Sequence, residues 1–456
     1  MVLEYKSMRK PVVAIVGRTN VGKSTLLNRL AGKRISVVAD LPGTTRDRIF
    51  ASASWQGREL MLIDTGGWQT KPHSSLDKKI KQQVETAVSE ADAIIFVVDV
   101  KTGLIASDEE VAEMLRLANK PVTLAVNKVD SSHQLSDIAS FYHLGMGEPI
   151  PISAYHNRGI EKLMSAVLAT LPLQHEATEI SEPELPKLAI VGRPNVGKST
   201  LLNALVGEER AIVDEAPGTT RDSVDALVQW GEKRFLLIDT AGIRRRGRVA
   251  TDVEYYSLLR ALQAIERCDV ALVMVDAREF VTAQELHIVG YVVEAGKGLM
   301  IAINKWDTVP ENEKEKFRKS AEERLKFVAY APTIYISASL REGTNQILPL
   351  AWEIYQEREK RLSEAEINAV IKQATTSCPP PRMGTRKLRI LGAYQDKTKP
   401  ATFVLLVNDP ELVHFSYRRY LENRLRQHFG FRGVPLRLVF TQIPRKVNNR
   451  EEAKIL

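Results

Sequence analysis

Two octapeptides of nearly the same wording carry the most chemistry in this 456-residue chain: Gly17-Arg18-Thr19-Asn20-Val21-Gly22-Lys23-Ser24 and Gly192-Arg193-Pro194-Asn195-Val196-Gly197-Lys198-Ser199. Each follows G-x-x-x-x-G-K-[ST]. In such a loop successive backbone N–H groups wrap nucleotide phosphates, the lysine reaches the β/γ oxygens, and the hydroxyl of Ser24 or Ser199 holds Mg2+. One match can arise by chance in a glycine-rich turn, so the flanks decide. Residues 12–16 and 187–191 read as buried parallel strands leading in, while Leu26, Leu27 and Leu30, like residues 201–205, mark helices leading out. A helix opening where the loop ends aims its positive dipole end at the phosphates.

The base is read further along. In Asn127-Lys128-Val129-Asp130 and Asn304-Lys305-Trp306-Asp307 the final carboxylate can accept two hydrogen bonds, from the N1–H and the exocyclic amine of guanine. Adenine lacks that donor pair, and a site built for it would leave buried polar groups unpaired with the wrong base. Asn127 and Asn304 would tie this segment to the phosphate loop, with Lys128 and Lys305 along the base. Ser153-Ala154 and Ser337-Ala338 would back the guanine oxygen through main-chain N–H groups.

Asp64-Thr65-Gly66-Gly67 and Asp239-Thr240-Ala241-Gly242 are D-x-x-G turns: the aspartate assists Mg2+, and the N–H of Gly67 or Gly242 can meet a γ-phosphate. Thr45 and Thr220, within the two PGTTRD segments, are expected to contact Mg2+ and the γ-phosphate. Losing that phosphate would release both segments, converting hydrolysis into a conformational change. Trp68 and Ile243 follow the turn where Ras-like enzymes place a water-positioning glutamine, and neither can orient water by hydrogen bonding. Slow intrinsic hydrolysis is the expectation. Asn20 and Asn195 either help bind a potassium ion beside the phosphates or merely stabilise their turns.

These parts repeat at an offset of 175 residues that grows to 184 at the Ser-Ala pairs, the mark of a duplicated domain with small insertions in its second copy. In each copy apolar strands such as 60–63, 94–98 and 122–126 alternate with amphipathic segments such as 107–118. That grammar predicts a doubly wound α/β sheet with ligands at the strands' carboxyl ends. The proline-rich, acidic stretch 172–186 reads as an exposed linker, either simple connection or hinge. Beyond Arg361 an α-β-β-α-β unit is expected: helix 363–375, strands near 387–394 and 402–407, helix 412–429 and strand 435–440. The boundaries are therefore 10–171, 172–186, 187–360, 361–445 and a polar tail 446–456.

The formal charge of +8 belongs to the carboxyl end, where residues 363–456 hold 17 Lys and Arg against 8 Asp and Glu. A near-neutral body with one basic domain raises the case for a nucleic-acid partner. Cys268 and Cys378 have no CxxC or Cys/His spacing, so neither a disulfide framework nor a zinc site is suggested. With no apolar stretch near ~18 residues and no apolar core in the first ten, a soluble, cytoplasmic protein with no membrane partner is expected.

Two G domains in tandem, each with GRxNVGKST, PGTTRD, DTxG and NKxD, then a small basic domain, resemble the Der (EngA) family of bacterial and plastid GTPases. The likeness covers nearly the whole chain. It implies two P-loop GTPase domains and a KH-like carboxyl-terminal domain, a role in assembling the large ribosomal subunit, and GTP or GDP with Mg2+ as ligands. It also implies K+-stimulated hydrolysis in which the Asn20 and Asn195 positions serve the monovalent ion. The partners so implied are the large subunit or its precursor and its rRNA, met by a monomer in the cytoplasm, or in the stroma for a plastid form. A GTP-dependent regulator of protein or membrane partners is the rival reading.

Gly430-Phe431-Arg432-Gly433 has the letters of a KH nucleotide clamp. It lies between a helix and a strand instead of between two helices, which favours a turn and helix C-cap. RNA contact would then fall to Arg418, Arg419, Arg424, Arg426 and Arg432, spread over one face. Arg244-Arg245-Arg246-Gly247-Arg248, after the second D-x-x-G turn, has Gln69-Thr70-Lys71 as its counterpart and suggests that the two copies are not interchangeable.

Overall fold

A computed structural model describes residues 10–31, 50–64, 88, 91–171, 185–206, 225–238, 253–383 and 386–442. The chain divides into two compact units, parting near residue 183. In the first, β1 (Val12–Val16), β2 (Phe50–Trp55), β3 (Arg58–Asp64), β4 (Ala93–Asp99), β5 (Val122–Asn127) and β6 (Ile150–Pro151) form one sheet in the order β2-β3-β1-β4-β5-β6. β2 is antiparallel to β3; the remaining pairs are parallel.

The side chains of β1 alternate between two cores. Val13 and Ile15 pack with Leu26, Leu27 and Leu30 of α1 (Lys23–Ala31), whereas Ala14 and Val16 join Val111, Ala112 and Leu115 of α2 (Ala106–Leu117). Leu163 and Val167 of α3 (Ile160–Thr170) lie in the α1 core. A strand covered on both faces has no polar side to keep, hence the unbroken VVAIV. Chain progression reverses at β1, so its carboxyl end opens into the crevice where such folds bind ligands.

The second unit repeats the plan with β7 (Lys187–Gly192), β8 (Ala226–Trp230), β9 (Lys233–Ile238), β10 (Val270–Asp276), β11 (Gly298–Asn304) and β12 (Thr333–Tyr335), ordered β12-β11-β10-β7-β9-β8. Its helices are α4 (Lys198–Val206), α5 (Val253–Arg267, of this unit from Arg260 on), α6 (Ala283–Glu294), α7 (Glu311–Arg324) and α8 (Ile347–Glu359). The same unit continues through α9 (Glu364–Ser377), a hairpin β13 (Arg382–Met383) and β14 (Arg386–Lys387), β15 (Ile390–Thr398), β16 (Ala401–Val407), α10 (Phe415–Phe429) and β17 (Leu436–Gln442). β16 pairs antiparallel with β15 and parallel with β17, giving the expected α-β-β-α-β order.

Local chemistry sets the ends of both helices. Ser363 and Glu366 form a reciprocal capping box at α9. α10 begins at Phe415 instead of the expected 412, because Asp409 caps a separate single turn, Pro410–Leu412, and His414 then caps α10 by accepting the Ser416 N–H.

One hydrophobic core runs from the second α/β sheet into the carboxyl-terminal sheet, joining Ile354 and Ala351 to Phe403 and Phe431. The GFRG turn makes that junction. Gly430, at φ 87°, ends α10 with its N–H donated to the Arg426 carbonyl. Phe431 is fully buried edge-on to Phe403, and its N–H donates to Glu357 Oε2 at 2.6 Å. Gly433 N–H donates to the Tyr330 carbonyl and its own carbonyl accepts from Leu299, at 2.8 and 2.7 Å. The turn is thus a helix cap that docks onto the neighbouring sheet.

The expected arginine face is corrected by this packing. Arg426 lies 4.0 Å over the Tyr330 ring and donates to the Phe431 and Val434 carbonyls, Arg432 pairs with Glu353 at 3.1 Å, and Arg418 donates to the Leu438 carbonyl. The guanidinium groups of Arg426 and Arg418 satisfy carbonyls within the fold, whereas Arg432 stays exposed and pairs with Glu353 at the surface. Arg419 and Arg424 remain exposed, over Phe415 and Tyr420. Among the described residues no helix is long and apolar enough to cross a membrane.

Gly433 sits at φ 70°, and a Cβ there would meet Ile354 Cγ1 at 2.6 Å and the Leu299 carbonyl oxygen at 3.0 Å. Gly433→Ala should therefore destabilise the second unit by roughly 2 kcal/mol, strain and overpacking adding. Thermal unfolding should show the lowered transition, while GDP binding at the first loop is unchanged.

Candidate nucleotide-binding sites

Each phosphate loop leaves the carboxyl end of its central strand and enters a helix. Gly17 and Gly192, at φ 151° and 150°, pass the next strand so closely that a Cβ would lie 2.3 Å from the Val97 carbonyl oxygen or 2.6 Å from that of Met274. The lysine ammonium groups curl back over their own loops. Lys23 Nζ donates to the Gly17 and Arg18 carbonyls at 2.8 and 2.7 Å, and Lys198 Nζ to those of Gly192 and Arg193 at 2.7 and 2.6 Å. Burial lowers both pKa values. In Lys23 the Asp64 carboxylate opposes that effect, whereas Lys198 is pushed down to about 8.

The two asparagines behave as the sequence suggested. Asn127 Nδ2 donates to the Val21 carbonyl at 2.8 Å while its Oδ1 accepts the Ala154 N–H at 3.0 Å; Asn304 repeats this with Val196 and Ala338 at 2.8 and 2.9 Å. Both amides are 2 % exposed. Their position also explains the second glycine of each loop: a Cβ on Gly22 or Gly197 would fall 2.4 or 2.3 Å from the asparagine Nδ2. Lys128 and Lys305, at φ 66° and 62°, bridge the Asn20 or Asn195 carbonyl (2.8 Å) to Asp99 or Asp276 (2.6 Å). The Ser-Ala segments are brought alongside, with the Val129 and Trp306 N–H groups donating to the Ile152 and Ile336 carbonyls.

On the metal side Ser24 Oγ donates to Asp64 Oδ2 at 2.5 Å, so a hydroxyl and a carboxylate converge from α1 and β3. Hard oxygen donors of this kind suit Mg2+. Thr45, Thr65, Gly66, Gly67, Trp68, Thr220, Asp239, Thr240, Ala241, Gly242 and Ile243 lie outside the described residues, as do Arg244 to Arg248 and residues 172–184 of the linker. Thr19, Asn20 and Asn195 are exposed on the loops and Pro194 half-buried, with both asparagines left-handed at φ 65° and 63°.

A family model described as 50S ribosome-binding GTPase matches residues 12–128 and again 187–305, and one described as the KH-domain-like carboxyl-terminal domain of EngA bacterial GTPase enzymes matches 361–441. GTPase Der of Moorella thermoacetica is 47% identical over 435 residues, covering 95% of this chain and 99% of that one. The chain belongs to the Der family of GTPases. GTPase Der of Heliobacterium modesticaldum is 48% identical, covering 94% and 98%. Among solved structures, Era in complex with MgGDPNP and nucleotides 1506-1542 of 16S ribosomal RNA is 21% identical, covering 58% of this chain and 95% of that one, at a TM-score of 0.30. Membership makes the protein a guanine-nucleotide-binding, GTP-hydrolysing enzyme of two P-loop domains and a KH-like domain, with Mg2+ typical of the class.

The acids that hold the loop arginines, Asp108 and Glu285, were missed in the sequence. Arg18 and Arg193 send their side chains away from the loop to the first turns of α2 and α6: Arg18 Nε lies 3.3 Å from Asp108 Oδ1, and Arg193 Nε donates to Glu285 Oε1 at 2.9 Å. Both acids are fully buried. Glu285 also caps α6 by accepting from Thr282, whereas burial raises the Asp108 pKa against the pull of Arg18. The Der loops are thus anchored from outside by an arginine–acid pair. An acid in the first turn, three residues before the first buried aliphatic residue (Val111 or Ile288), was the available clue, but such acids usually serve only the helix dipole. Trp306 replaces Val129 and packs tilted against Tyr335 and edge-on to Phe317, at 4.5 and 5.6 Å between ring centres, a wall absent from the first copy's wording.

Because phosphate pairs with the protonated lysine, nucleotide binding should raise the Lys198 pKa. Protons are then taken up on binding near pH 8, and second-site affinity falls as pH rises through that value. Calorimetry of GDP binding in buffers of different ionisation heat should show this uptake at pH 8 and lose it in Lys198→Ala.

Proposed function

We propose that this chain is a GTP-driven switch in assembly of the large ribosomal subunit, bound to ribosomal particles in a nucleotide-dependent way and acting as a cytoplasmic monomer. The observation that supports it most is the twice-built asparagine bridge linking phosphate loop, base-reading segment and Ser-Ala segment. The 50S ribosome-binding family match to both domains and the basic carboxyl-terminal domain support the ribosomal part.

In this reading main-chain N–H groups of residues 17–24 and 192–199 hold the phosphates. Lys23 and Lys198 neutralise charge on the β/γ oxygens, and Asp130 and Asp307 select guanine. Ser24, Thr45 and Asp64, with Ser199, Thr220 and Asp239, would hold Mg2+, which supplies positive charge to the phosphates when bound. Gly67 and Gly242 sense the γ-phosphate. Asn20 and Asn195 serve K+, their left-handed turns presenting exposed side chains beside the loops. Domain limits of 10–171, 187–360 and 361–445 fit this division of labour, although the second and third share one core.

Hydrolysis should run faster in K+ than in Na+ at matched ionic strength, and Asn20→Ala with Asn195→Ala should remove the difference; equal rates in the parent chain count against the ion. Co-sedimentation with large ribosomal subunits should differ between GDP and a non-hydrolysable GTP analogue. Absence of binding in every nucleotide state would favour the rival, a regulator of protein partners.

A further inference from the structure

The two sites differ in one residue whose consequence runs against intuition. Lys101 and Arg278 occupy the same place after β4 and β10, each with its backbone N–H donated to the strand-end aspartate two residues before: Lys101 to Asp99 at 2.9 Å, Arg278 to Asp276 at 3.0 Å. Their side chains then part. The Arg278 fork returns to Asp276, Nε to Oδ1 at 3.1 Å and Nη2 to Oδ2 at 2.8 Å. Lys101 has no fork. The Asp99 Oδ2 it might share already accepts Lys128 at 2.6 Å, and its ammonium reaches instead to Asp130 Oδ2 at 2.7 Å. The other oxygen of Asp130 accepts Ser153 Oγ at 2.8 Å.

Resting on the guanine reading of Asp130, we infer that Lys101 is a specificity-determining residue that competes with guanine for the Asp130 carboxylate and thereby weakens the first site relative to the second. The base must draw two donors onto a carboxylate whose charge is already shared with an ammonium, and Lys101 has to yield. The bond from Lys101, helped by Ser153, also holds the Asp130 pKa below the usual carboxylate range. Lys101 is about half exposed, so the pair is a modest one, and the competition is expected to be a factor of about two to five in affinity. In the second site Arg278 is kept on Asp276, where burial alone would raise the carboxyl pKa but the Arg278 and Lys305 hydrogen bonds outweigh it.

The test measures GDP binding at the first site of the full chain, with the second silenced by Asp307→Asn. Lys101→Ala should tighten Kd about two- to fivefold at low salt, the gain shrinking as salt screens the pair. Removing a cation would weaken an anionic ligand if Lys101 acted on the phosphates, so the sign discriminates. Lys101→Arg keeps the charge but lets a fork return to Asp99, and it should tighten binding as well. In a companion chain silenced by Asp130→Asn, Arg278→Lys should loosen the second site by a similar factor. Unchanged or weaker binding in Lys101→Ala, or wild-type behaviour in Lys101→Arg, would overturn the inference. If Asp130→Asn on top of Asp307→Asn leaves GDP binding intact, it is the guanine reading itself that fails.

Discussion

In each G domain the phosphate loop, the N-K-x-D segment and the Ser-Ala segment are tied together by one buried primary amide. The Asn127 and Asn304 side chains each donate to a phosphate-loop carbonyl and accept from the Ser-Ala backbone, so three segments far apart in sequence share one small polar group. In a dry setting an amide stripped of either partner costs about 1–3 kcal/mol, and the partner left behind costs as much again. The second glycine of each loop exists for this amide, since a Cβ would fall on its nitrogen. Two motifs that look independent in the sequence are therefore one steric and polar constraint, which is why they survive together in both copies while their surroundings differ.

Those surroundings are where the copies have diverged. The arginine that anchors the loop from behind finds a well-satisfied partner in Glu285, which also caps its own helix. In the first copy it faces Asp108, a shorter acid with fewer partners. Beside the base-reading aspartate the second copy builds an aromatic wall from Trp306, Tyr335 and Phe317, with the Arg318 guanidinium 5.6 Å over the indole. Position 129 is valine, too small to do so. The shared bridge holds the same three segments together in both domains, while the side chains around it differ.

The sheets, the loops and the asparagine bridges were legible because each rests on local wording: a β-branched run buried on both faces, a glycine at a forced φ, an amide at a fixed place after a strand. Side-chain partners across the fold were not. Arg18 and Arg193 sit in the phosphate motif and invite a phosphate role, yet their partners lie on helices about 90 residues away. Arg426 and Arg432 looked like part of a basic RNA face because charge alone was visible; the turn carbonyls of Phe431 and Val434 that engage Arg426, and Glu353 of α8 that pairs with Arg432, come into place only in the folded chain. The GFRG letters were rightly read as a turn from their position between helix and strand, but nothing local said that Phe431 would be core.

That docking has a mechanical consequence. β11 is buried along its whole length, lies between two strands of the sheet, accepts the carboxyl-terminal domain at Leu299, and ends at Asn304. Four residues of parallel strand, 300–303, separate the Gly433 contact at Leu299 from the Asn304 amide. A strand held by hydrogen bonds on both sides cannot slide or twist without breaking several at once, and a buried core resists the alternative of repacking. The Gly298 Cα is packed so closely by Ile354 and Arg358 that even a methyl group would collide at 2.6 Å, which leaves the junction little slack. The carboxyl-terminal domain is thus held, through Leu299, by the same strand that ends at the Asn304 bridge.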